Sequence, residues 1–181
     1  MKVVDDALPQ VISDLVHETC IELNNWQYLP DTALYKGHQG QRVSYDSSGL
    51  GCSILATGPK GEQFNKELYC RFESALMILG EIAGLNTKDD LVRARLGLYL
   101  PVPGPEHNTP HRDQEYPHTV LLYYVNDSDG DTFFFDNKKK IKDRVTPKQN
   151  RLVIFDGSTR HASSNPSHGY RISLNLNYKK S

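Results

Sequence analysis

His111, Asp113 and His161 supply two imidazoles and a carboxylate, and Arg171 follows them toward the end of the chain. Two neutral imidazoles and one carboxylate on one face of a divalent iron leave neighbouring coordination positions open, where a co-substrate and O2 bind side by side. Four or more protein ligands would close those positions. The local spacing suits the task, because in extended backbone residues i and i+2 point the same way. His111 and Asp113 then reach one ion while Arg112 points elsewhere. The third ligand must come from another strand, and His161 lies far enough downstream for the chain to run out and return. A lone H-x-D is weak evidence in a chain with seven histidines. The order, the strand context and the downstream arginine are specific only in combination. Together they make His111, Asp113 and His161 the candidate metal ligands and catalytic centre.

Strands are needed to hold such side chains. Apolar stretches at 119–125, just after the H-R-D, and at 151–155, just before His161, hang both half-sites from strand ends. Further strands are expected at 93–100, 132–135 and 170–178, with turn clusters at 126–131, 156–158 and 165–169 between them. On the last strand Arg171, Ser173, Asn175 and Asn177 share one face, and Ile172, Leu174 and Leu176 the other. A polar face fits the mouth of a barrel that holds a ligand better than it fits a helix-packed core. Short antiparallel strands closing around a ligand describe a jelly roll.

The first half of the chain reads as helical support. After Pro9, apolar residues from Val11 to Trp26 recur at helical spacing and run out near Asn24-Asn25. Phe64, Leu68, Phe72, Ala75, Leu76, Leu79 and Ile82 form a second stripe, with Gly84 as its stop. The glycine-rich polar stretch 35–61 reads either as a lid over the site or as a connecting loop. The expected architecture is a single domain over 1–181, mainly β with N-terminal helices (α+β). Residues 1–90 would be the support and 91–181 the β core.

From about residue 93 to residue 178 the chain resembles the Fe(II)/2-oxoglutarate-dependent dioxygenases, and within them the prolyl-hydroxylase-like branch. The resemblance is carried by Leu98-Tyr99-Leu100-Pro101, the H-R-D at 111–113, Leu122-Tyr123-Tyr124-Val125-Asn126, Arg151 to Phe155, His161, and Arg171-Ile172-Ser173-Leu174. Its Y-Y-V-N run is similar to the Y-Y-L-N strand of the oxygen-sensing prolyl hydroxylases of animals. The resemblance implies a double-stranded β-helix, with Fe(II) on His111, Asp113 and His161 and with 2-oxoglutarate and O2 as co-substrates. Ascorbate is an optional reductant. It also implies 2-oxoglutarate binding by Arg171, helped by Ser173 and by the hydroxyls of Tyr99 and Tyr124. Fe(II) with one aspartate keeps a single positive charge and 2-oxoglutarate brings two negative ones, so one bidentate arginine balances the site. Two departures from the family pattern stand out. Asp129-Gly130-Asp131 replaces a frequent Gly-Gly pair, and Asn175 and Asn177 stand where relatives often place a bulky aromatic near the substrate. The expected reaction is hydroxylation of an unactivated C–H bond, in a proline-containing peptide or protein, with release of succinate and CO2.

Composition narrows the function classes. A net charge of −1 and a pI of about 6.6 give no broad field for nucleic acid or an anionic membrane. That disfavours an oxygenase acting on nucleic-acid bases. The same metal-binding residues would also suit an oxygenase of small molecules or a non-catalytic cupin-like metal module. The lysine run 138–140 reads as a solvated loop or hairpin between strands. Cys20, Cys52 and Cys70 are widely spaced and read as reduced thiols, and residues 1–10 hold no apolar leader, so a cytoplasmic setting is expected. His118 and His168 flank turns and read as solvated.

Overall fold

The computed structural model describes residues 1–30, 32, 48–57 and 62–180. Its elements run β1 (Lys2–Val4), α1 (Gln10–Glu22), β2 (Gln27–Leu29), β3 (Gly49–Ala56), β4 (Gln63–Phe64), α2 (Lys66–Ile82) and α3 (Thr87–Asp90). They continue through β5 (Leu91–Tyr99), β6 (His118–Tyr124), β7 (Thr132–Phe135), β8 (Ile141–Val145), β9 (Arg151–Asp156), β10 (His161–Ser163) and β11 (Arg171–Lys179). The fold is therefore mainly β, with antiparallel pairing throughout and the helices gathered near the N-terminus.

Both main helices begin where the sequence can start one. Pro9, with φ −51°, sets the entry to α1, and the Asn65 side chain accepts a hydrogen bond from the Leu68 backbone N–H at 3.0 Å to cap α2. The chain leaves α2 through Gly84 at φ +69°, a left-handed backbone that favours glycine. Leu68, Phe72, Ala75, Leu76 and Leu79 form the buried stripe of α2, whereas Phe64 precedes the helix and is exposed. That stripe packs with Val16 and Cys20 of α1 against one face of the larger sheet.

The larger sheet has the order β1-β9-β6-β11-β5-β3-β2, with β4 paired to β3, and the smaller one has the order β10-β7-β8. Leu121, Tyr123 and Val125, with Ile172, Leu174 and Leu176, belong to the core under the helices. The opposite face of β6 gives Val120, Leu122 and Tyr124, which join Phe134, Val145, Val153 and Phe155 in a second core between the sheets. Both faces of β6 are buried, so it reads as an unbroken apolar run.

Several elements escape the sequence reading. β3 lies in the glycine-rich stretch and pairs with β5, so this part is sheet and neither loop nor lid. Most of the remaining 35–61 stretch, and with it the lid reading, falls outside the described residues. Beyond the lysine-bearing turn, Ile141–Val145 is a full strand paired with β7. His118 is buried, not solvated, and its ring packs on Gly157, where a Cβ would come within 2.2 Å of the imidazole. His168 is exposed as expected.

Candidate metal and co-substrate site

His111 and His161 come from distant parts of the chain but form one backbone-paired rung. The His111 N–H donates to the His161 carbonyl at 2.9 Å and the His161 N–H donates back at 3.0 Å. Their rings stand 4.7 Å apart, and with Asp113 they place one potential ligand atom each within 4.8 Å of one another. The Asp113 Oδ1 lies 3.7 Å from His111 Nε2 and 3.9 Å from His161 Nε2. Each Nδ1 faces a carbonyl, that of Thr109 at 3.0 Å and that of Thr159 at 3.3 Å. A carbonyl only accepts, so in the neutral form of either ring the proton sits on Nδ1. Both Nε2 lone pairs then turn toward Asp113.

The far side of Asp113 is tied down. Asn175 and Asn177 of β11 donate their Nδ2 hydrogens to Oδ2 at 3.0 and 2.9 Å, leaving Oδ1 for the two imidazoles. Arg93 Nη1 donates to Asn177 Oδ1 at 3.1 Å and lies 3.4 Å from Asp113 Oδ1. Burial pushes the Asp113 carboxyl up, but the His111 imidazole beside it, the Arg93 guanidinium and the His161 imidazole more than reverse this. The carboxyl is held well below the usual carboxylate range. Burial, opposed by the Asp113 charge, pushes His161 down to about 4. Asp113 therefore stands as a carboxylate and His161 as a neutral imidazole, the protonation states that bind metal. Two nitrogens and one oxygen with no fourth protein ligand among the described residues fit the facial arrangement of a non-haem iron site.

Arg171 stands at the far end of the same cavity. Its side chain is only 2 % exposed, and its guanidinium lies between the rings of Tyr99 and Tyr124, at 5.3 and 5.6 Å from their centroids. Nη2 donates to Thr132 Oγ1 at 3.0 Å, while Nε is buried without a partner and no carboxylate among the described residues pairs with the group. A buried charge left this way is unfavourable until an anion reaches it. Gly130 makes the position accessible. A Cβ there would stand 2.9 Å from the Ser164 carbonyl and 3.0 Å from Arg171 Cδ, so close packing demands the glycine and φ does not.

The sequence candidates are thus brought together, since His111, Asp113, His161, Arg171, Tyr99 and Ser173 all line the cavity. Tyr124 borders it behind Thr132. The tyrosine hydroxyls are engaged with threonines, Tyr99 donating to Thr32 and Tyr124 to Thr132, each at 2.8 Å. Thr132, Arg93 and Arg95 also line the cavity and were missed, as was the grip of Asn175 and Asn177 on Asp113. The even polar face of β11 is the only trace those asparagines leave in the sequence.

Comparison with known proteins agrees with this geometry. Residues 97–179 match the family model of the 2OG-Fe(II) oxygenase superfamily. No curated protein sequence matches the chain significantly. Among solved structures, a prolyl-4-hydroxylase of Pseudomonas putida superposes with a TM-score of 0.63 at 13% identity, over 99% of this chain and 92% of that one. A Trichoplax adhaerens prolyl hydroxylase, in complex with a hypoxia inducible factor oxygen degradation domain peptide fragment, gives 0.66 at 14% identity, over 98% and 82%. The non-haem α-ketoglutarate-dependent epimerase SnoN from nogalamycin biosynthesis gives 0.63 at 12%, over 98% and 76%. At such identities the likeness is one of fold, a jelly-roll core. The stretch that matches the family model spans Asp113, both histidines, Tyr99, Tyr124, Arg171 and Ser173, so the likeness to the 2OG-Fe(II) oxygenase superfamily lies in the part of the chain that builds the site.

Proposed function

We propose that this protein hydroxylates a peptidyl proline, in the manner of a prolyl 4-hydroxylase, and converts 2-oxoglutarate to succinate and CO2 in the same turnover. The observation that carries the co-substrate assignment is the buried Arg171 guanidinium with no anionic partner among the described residues, in the cavity that the metal triad opens onto. Its planar fork suits the distal carboxylate of a dicarboxylic co-substrate. Fe(II) held by His111, Asp113 and His161 supplies the activation of O2 that the protein's own side chains lack.

The chain's residues do the rest. With Nδ1 against backbone carbonyls, His111 and His161 would hold the metal through Nε2, while Asn175 and Asn177 engage Asp113 Oδ2 and so leave Oδ1 as the oxygen that would bind it. Tyr99 and Tyr124 wall the arginine in, and Tyr99 and Ser173, which line the same cavity, together with Tyr124 behind Thr132, would help to hold the co-substrate. The peptidyl substrate is favoured by the peptide bound in the Trichoplax relative and by the Tyr123-Tyr124-Val125-Asn126 strand. Three free cysteines fit a reducing, cytoplasmic setting, in which ascorbate would serve as auxiliary reductant.

The test is turnover of proline-containing peptide pools with Fe(II), 2-oxoglutarate and O2, read by mass spectrometry. The expected product carries one added oxygen on proline. Peptide-independent succinate release that no proline peptide stimulates, but a free amino acid or other small molecule does, would replace the prolyl assignment with small-molecule oxidation.

A further inference from the structure

We propose that Arg95 recognises the substrate, taking a carboxylate that the substrate carries beside the carbon to be oxidised. This rests on the oxygenase reading above and adds the charge class of its substrate. Two guanidinium groups reach the metal end of the cavity from β5. Arg93 is already engaged by Asn177 and Asp113. Arg95 also lines the cavity, and among the described residues its guanidinium makes no ion pair or hydrogen bond, although it feels the charge of Asp113 from a distance. Burial, and then the charge of Arg93, push its ionisation down, although an arginine stays charged at any working pH. The group is a half-buried cation with no direct partner among the described residues, and a carboxylate entering the cavity could pair with it.

The strand beneath it is shaped for this placement. On β3, a Cβ at Gly51 would stand 2.6 Å from Leu29 Cδ1, 2.8 Å from Arg95 Nη2 and 3.0 Å from Arg95 Nε, so the bare backbone leaves room for the guanidinium where it now lies.

The register separates this arginine from the co-substrate anchor. Arg171 faces Tyr99 across β11 and β5, whereas Arg95 faces Asn175, four residues further along β11. That spacing is about 13 Å of extended backbone. Asn175 holds Asp113, so Arg95 stands level with the metal ligands while Arg171 marks the opposite end. A 2-oxoglutarate whose distal carboxylate is on Arg171 and whose other end is at the metal leaves Arg95 for a second molecule, which is the substrate. The carboxylate is either a side chain flanking the proline in a peptide or the α-carboxylate of the proline itself.

Two matched pairs of probes separate these sources. One pair is a peptide with glutamate on both sides of proline against its glutamine isostere, and the other is L-proline against L-prolinamide. Binding is measured by calorimetry and turnover by succinate release. The expected result is a preference of about tenfold or more for the acid in one pair, in Kd and in kcat/KM. That ratio falls to near one in Arg95→Met. Equal affinity for acid and amide in both pairs, or a ratio that survives Arg95→Met, overturns the proposal. So does a raised 2-oxoglutarate requirement in Arg95→Met without any probe, because the guanidinium would then serve the co-substrate. If Arg95→Met does not fold, Gly51→Ala displaces the same guanidinium and is expected to lower the ratio, and the wild-type pairs stand by themselves. Acid-selective binding without succinate release from any probe would keep the carboxylate site and sink the oxygenase reading. Succinate release without acid preference would do the reverse.

Discussion

The two faces of β11 divide the molecule's labour. Ile172, Leu174 and Leu176 look toward the helices and are sealed in the main core, while Arg171, Ser173 and Asn175 look into the cavity and Asn177 reaches the candidate metal ligand Asp113. Neighbouring residues on one strand thus carry stability and chemistry separately. The apolar face keeps its place by packing, which is non-directional. The polar face works only if each group finds its partner, so it is rigid because the other face is.

That division should break under substitution, and differently on each side. On the cavity side, Asp113→Ala removes the only carboxylate ligand of the triad. Fe(II)-dependent succinate release is expected to fall by about a thousandfold or more, equivalent to about 4 kcal/mol of activation free energy. Circular dichroism and thermal melting should still report a folded chain. On the helix side, Leu174→Ala opens a hole in a fully buried position and should cost about 3 kcal/mol in denaturant unfolding. The activity per folded molecule should change far less, and equal losses in the two assays would mean that the faces are coupled.

The smallest effect is expected far from both faces. Asp5 accepts two hydrogen bonds from Arg151, from Nε at 2.6 Å and Nη2 at 3.0 Å, and that hydrogen bonding holds its carboxyl below the ordinary value of 3.8. A lowered folded value means the pair stabilises the protein at pH above the unfolded value, and the contribution fades as pH falls through the folded one. Asp5 is well exposed, so solvent screening limits Asp5→Asn to about 0.5 kcal/mol at neutral pH. The difference from wild type should vanish in acid unfolding titrations.

The same division decides what was legible in the sequence. On β11 alternate polar and apolar residues face different environments, so both its period and its cavity face could be read. The candidate ligands were legible as a cluster because H-x-D fixes two of them by local geometry and His161 follows a marked strand. Other features depend on partners far away in the chain. β3 hides among glycines because the Leu29 and Arg95 side chains crowd the space a Cβ at Gly51 would take, and β8 hides behind lysines because most of it is exposed. β10 is three residues long, too short for a period, and exists by pairing with β7. His118 looked solvated because it flanks a turn, but Gly157 gives its ring a place to pack. Nothing local in Asn175 or Asn177 says that Asp113 returns to meet them.

Arg171 and the triad should act as one site that takes metal and 2-oxoglutarate together. Calorimetric titration of 2-oxoglutarate into the Fe(II)-loaded protein, under strict exclusion of O2, decides the matter. One molecule should bind per chain, and only when the metal is present. Affinity should weaken in Arg171→Lys, which keeps the charge but loses the fork, and no binding should be measurable in Arg171→Ala. Undiminished 2-oxoglutarate binding in Arg171→Ala, or binding that ignores the metal, would mean that the arginine and the triad are not one site.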